Sequence, residues 1–157
     1  MNIFAAIDLE TTGLDPAHCE VIDIAIVPLN ADFTISTEIP EFACRIRAEH
    51  PERAEHGALE TNHLNPAEGE AIKDVRAELV QWAMENGITT ITPLAHNLTF
   101  DMSFIKRMVM SVFNFTLLIT TPLETMMYSS MLSRPLANPR ILVSFICVIL
   151  VFARKQS

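Results

Sequence analysis

Two short stretches carry the residue types that could do chemistry. Asp8-Leu9-Glu10-Thr11-Thr12-Gly13 ends an apolar run near the start of the chain, and His96-Asn97-Leu98-Thr99-Phe100-Asp101 comes much later. Asp8, Glu10 and Asp101 offer hard oxygen ligands, the kind that Mg2+ and Mn2+ take. Alternate side chains of a strand share a face, so Asp8 and Glu10 project the same way, about 7 Å apart along the backbone. Carboxylates so spaced can flank two cations lying about 3.5–4 Å apart, the arrangement that cuts phosphodiester bonds. Each half also has a plain reading. Asp-x-Glu is a common tripeptide at a strand end, and an acid in the first turn of a helix is favoured by the helix dipole. Taken together, in this order and spacing, they favour a metal site.

The elements that must position these acids follow from patterning. Asn2 to Leu9 is an apolar run of strand length, suited to a strand buried on both faces. Gly13 and Asp15-Pro16 end it in a turn. Glu20 to Pro28 predicts a second strand, and Thr34 to Arg47 contains a third, interrupted at Pro40. The short connections favour an antiparallel meander. Residues 48–69 read as a long loop or short helical turns. Glu70 to Asn86 predicts a helix, with Ile72, Val75, Leu79 and Trp82 on one face and Gly87 just past the last turn. Ile88 to Ala95 predicts a fourth strand, parallel to its neighbour because a helix precedes it. Leu98 to Val112 predicts a second helix, capped by Asn97 or Thr99. Phe115 to Thr120 is a candidate fifth strand and Leu123 to Leu132 a further helix.

Composition narrows the class. The chain has 157 residues, 50% hydrophobic and 19% charged, enough for one globular domain. Residues 1–124 hold all 19 acids and seven of the 11 basic residues, a net −12, while residues 125–157 hold four basic residues and no acid. Such a surface excludes an extended, charge-driven DNA binder. It leaves room for an enzyme that grips a short end through cations, which invert the local field. Cys19, Cys44 and Cys147 are far apart and form no CxxC pair, which predicts a reduced, cytoplasmic protein without structural zinc. The opening Met1-Asn2-Ile3 has no basic n-region. His18, His50, His56 and His63 read as solvated surface, and the eight methionines as core.

With these residues in place, the chain resembles the DEDD (DnaQ-like, proofreading-type) 3′→5′ exonucleases. Ile7 to Asp15 is similar to their first motif, and His96 to Asp101 to their second. Gly57 to Pro66 is similar to the loop before their first long helix. The likeness covers roughly residues 1–130; the exonuclease-like domain is placed at 1–135, leaving 136–157 as an atypical apolar segment. It implies an α/β, ribonuclease-H-like fold: a mixed five-stranded sheet flanked by helices. It implies two Mg2+ or Mn2+ held by Asp8, Glu10 and Asp101, which are also the catalytic set. It places Thr11, Thr12, Leu14 and Asn97 near the terminal nucleotide, with Phe100 beneath the site. The implied partner is a single-stranded nucleic-acid 3′ end, DNA or RNA, with a DNA polymerase as a second candidate partner and no membrane.

The chain departs from the family at its third motif, which supplies a general-base His or Tyr and then a fourth Asp. No His follows His96, no Asp follows Asp101, and Tyr128 is the single tyrosine. Glu124 is the last acid and the one candidate substitute. Ile141 to Ala153 is instead thirteen uncharged residues, short of the roughly twenty a membrane span needs. The run suits a buried strand or core helix, an aberrant end, or a membrane or partner contact. The expectation is a weakened exonuclease from a frameshifted, truncated or decayed gene, with an inactive binding module as the alternative.

Overall fold

The structure, a computed structural model, describes residues 1–110. The elements expected at Phe115–Thr120, at Leu123–Leu132 and in the 136–157 segment lie outside them. Five strands and three helices follow in order: β1 (Asn2–Thr11), β2 (Val21–Leu29), β3 (Phe42–Arg47), α1 (His56–Asn62), β4 (Glu70–Ala71), α2 (Ile72–Glu85), β5 (Thr90–Leu94) and α3 (Leu98–Met110). The sheet order is β4-β3-β2-β1-β5. β1, β2 and β3 form the antiparallel meander, with Ile7 opposite Ile26 and Ile24 opposite Cys44. β5 runs parallel to β1, from Asn2 opposite Thr90 to Ala6 opposite Leu94.

Two elements differ from the sequence reading. Glu70 and Ala71 do not open α2; they form β4, parallel to Ile46 and Arg47 of β3. Five strands are thus complete among the described residues without Phe115–Thr120. The third strand starts only at Phe42, because Pro40 lacks the N–H a ladder needs. Within residues 48–69, Pro51–Arg53 form a single 3-10 turn and His56–Asn62 form α1.

The two sheet faces differ chemically. Ile3, Ala5, Ile7 and Leu9 of β1 look onto Val75, Leu79 and Trp82 of α2 and onto Leu98, Met102, Ile105 and Met108 of α3. The buried Ile, Leu, Val and Met side chains among them each stabilise the fold by about 1.5–3 kcal/mol. Gly87, at φ 62°, takes the left-handed position that ends α2. On the other face Phe4 and Ala6 pack with Val27, Leu29, Phe33 and Leu94.

Candidate active site

β1 commits its odd residues to the first core, so Asp8 and Glu10 alternate onto the second face. They stand across β2 from Ala25 and Asp23, and Asp23 in turn faces Arg45. That face is therefore apolar where β1 begins and acidic where it ends. Both residues are half-buried. A bulge between Glu10 and Thr11 stops the regular pairing here, as bulges do next to functional sites.

Beyond the bulge, Thr11 to Leu14 is a fixed turn. The Thr11 hydroxyl donates to the Gly13 carbonyl at 2.8 Å. The Thr12 hydroxyl accepts the Glu20 N–H at 2.8 Å, and the Thr12 N–H donates to the Glu20 carbonyl at 2.8 Å. Both threonines are buried, whereas Leu14 is 74% exposed. The hydroxyls hold the turn, and Leu14 presents its apolar surface outward. Composition and periodicity did not reveal the braces on this turn. Glu55 donates its N–H to the Thr12 carbonyl at 2.7 Å and accepts from the Leu14 N–H at 3.4 Å. Asn62 donates to the Thr11 carbonyl at 3.1 Å. Only the likeness of Gly57–Pro66 to a family loop pointed toward this segment.

The second stretch sits at the same end of the sheet. β5 runs parallel to β1 and ends at Leu94, opposite Ala6 and two residues before Asp8, and α3 starts just past β5. Asn97 caps α3: its side-chain oxygen accepts the Phe100 N–H at 3.4 Å and its carbonyl the Asp101 N–H at 3.1 Å. Asp101 lies in the first turn and is buried at 7% exposure. The body of α3 packs into the first core through Leu98, Met102 and Ile105. Phe100 is half-buried against Phe104, ring centres 5.0 Å apart. His96 and the other four histidines are exposed.

Another set of ligand-type atoms lies away from these motifs. Cys44, Glu70 and Glu78 offer atoms within 4.8 Å of one another. Burial, then the charges of Glu70, Glu78 and Asp23, push the Cys44 thiol up to about 11. A thiol held protonated at neutral pH is a poor metal ligand.

A mixed five-stranded sheet flanked by helices, with paired acids near the end of β1 beside its central strand β2, is a ribonuclease-H-like fold. The chain belongs to the exonuclease family: the RNase_T family model, described as exonuclease, matches residues 5–141. It is similar to E. coli exonuclease I solved with a dT13 oligonucleotide, at 16% identity and TM-score 0.67. It is also similar to the exonuclease I structure used to explain processivity (16%, 0.68) and to the zinc-bound complex with single-stranded DNA (16%, 0.66). These matches cover 87% of this chain and 31% of the exonuclease I chain, so the chain spans less than a third of that protein. No curated protein sequence matches it. No helix among the described residues is long and apolar enough to cross a membrane.

Proposed function

We propose that this chain removes nucleoside 5′-monophosphates from the 3′ end of a single strand, slowly, with two Mg2+ or Mn2+ held by Asp8, Glu10 and Asp101. The observation that carries this is the Asp8–Glu10 pair, half-buried on one face near the end of β1 in an exonuclease-family chain. The donor set fits: all three ligands are carboxylates, and the register partners of Asp8 and Glu10 include no base. When bound, such cations act as Lewis acids and lower the pKa of a bound water. Asp8 and Glu10 hold their positions through the β1–β2 ladder. The Thr11–Leu14 turn gives the terminal nucleotide a rigid apolar contact at Leu14. Phe100, seated on Phe104, supports the site from below. Asp101 approaches from the head of α3.

A general base contributes about 10²–10⁴-fold to such a reaction, and residues 102–157 include no His and no Asp to supply one. A second reading is a module that holds a strand end without cutting. A 5′-labelled single-stranded oligonucleotide separates the two. With Mn2+ the label should shorten stepwise from the 3′ end, more slowly with Mg2+, and not at all in Asp8→Ala. Turnover in Mg2+ at about 1–10³ s⁻¹ would mean another group supplies the base. No shortening in Mn2+, with strand binding retained in EDTA, would establish the binding module.

A further inference from the structure

On the α2/α3 side of the sheet, away from Asp8 and Glu10, a cavity of about 230 Å³ opens beside the turn after β1. Arg47, Arg53, Arg76 and Arg107 line it, with His18 and His50. Four of the 11 basic residues of an acidic chain thus converge on one cavity. Its two acids, Glu20 and Glu49, offset only part of the charge of four guanidinium groups, and the Glu20 carboxylate already accepts the N–H groups of Glu49 and His50, at 2.7 and 2.8 Å. Among the described residues neither Arg47 nor Arg76 forms an ion pair; Arg53 reaches Glu52 at 3.9 Å, and Arg107 donates to the Pro16 carbonyl. The Arg76 Nε is buried and has no hydrogen-bond partner. Leaving a buried charged donor unmet is costly. Ile46, Ile72 and Phe104 form the apolar wall.

We propose that this cavity binds a phosphate group. Guanidinium forks match phosphate geometry and keep their charge at any working pH. The volume is below the roughly 300–1,000 Å³ of pockets that enclose a drug-sized molecule, so the cavity takes a phosphate rather than a whole nucleotide. The binding chemistry rests on the cavity alone. That the phosphate belongs to a nucleic-acid strand, gripped away from the end being cut, rests on the exonuclease reading.

The test is strand binding in EDTA, followed by anisotropy of a labelled single-stranded oligonucleotide across a salt series, with inorganic phosphate as a second probe. Single-strand affinity falls with salt at a slope of about 0.7 per phosphate neutralised. Arg47→Ala and Arg76→Ala should each weaken binding and lower that slope by about 0.7, and inorganic phosphate should compete. Arg47 is exposed, so its variant carries the test if Arg76→Ala fails to fold. Phosphate binding that Arg47→Ala abolishes, without strand binding, supports the cavity with free phosphate as its source. Unchanged affinity and slope in both variants, with no phosphate competition, overturns the proposal. Binding is read in EDTA, with no cation at the carboxylates, so a failure of the metal-site reading leaves this result standing.

Discussion

A methyl group at position 13 would have no room. A Cβ on Gly13 would lie 2.4 Å from the Glu55 side-chain carbon and 2.5 Å from the Cys19 sulfur. Glu55 can swing aside, but only by giving up its contact with the Leu14 N–H; Cys19 is buried and cannot. Gly13→Ala should therefore destabilise by about 1–3 kcal/mol, the usual cost of overpacking, read as a lower urea midpoint. An unchanged midpoint would show that the turn yields freely. Cys44 gives a pH signature. Unfolded, the thiol ionises near 9.0; folded, near 11. Below 9.0 it is neutral in both states and adds no pH dependence. As pH rises from 9.0 toward 11 the unfolded state alone loses its proton, so stability falls. Cys44→Ala should flatten that part of the curve, and parallel curves for the two proteins would refute the assignment.

At the scale of elements, the α2–β3 contact is the one most easily followed. Trp82 packs on Phe42 with ring centres 5.8 Å apart and donates its indole N–H to the Pro40 carbonyl at 2.9 Å. It is the chain's single tryptophan, so its emission reports α2 docking. Trp82→Phe keeps most of the apolar contact and loses the hydrogen bond, an expected cost of about 0.5–1.5 kcal/mol in chemical denaturation followed by circular dichroism. Trp82 also shows what the sequence made legible. Its spacing from Val75 and Leu79 predicted α2 and its buried face, and the two-residue period of a strand put Asp8 and Glu10 on one side of β1. What escaped was non-local. Glu70–Ala71 pair as β4 because β3 lies beside them, and no pattern in two residues announces that. Glu55 and Asn62 brace the first motif through main-chain carbonyls, and the arginine cavity draws on residues from four separate segments.

For the molecule as a whole, cation binding and folding should be linked. A ligand that binds only the folded state at a hundred times its Kd stabilises by about 2.7 kcal/mol. Mn2+ should therefore raise the melting temperature of the wild-type chain, EDTA should reverse the rise, and Asp8→Ala should show neither effect. An equal rise in the variant would place the cation elsewhere.

The pairing of β1 on both edges, by β2 and by β5, has a further consequence at the ribosome. Of the described strands β1 emerges first, and β2 can pair with it almost at once. Its other edge waits for Thr90–Leu94, and the Met1 carbonyl waits for the Thr89 N–H. At synthesis rates of about 5–20 residues per second, that interval is roughly 4–17 s. Through that interval the nascent chain carries an unpaired edge on a strand whose inner face is Ile3, Ala5, Ile7 and Leu9, the kind of surface that invites pairing with a neighbouring chain. Chaperone demand during translation should thus be set by the delay before residue 94 appears, and slowing elongation between β3 and β5 should lower soluble yield more than slowing it after β5.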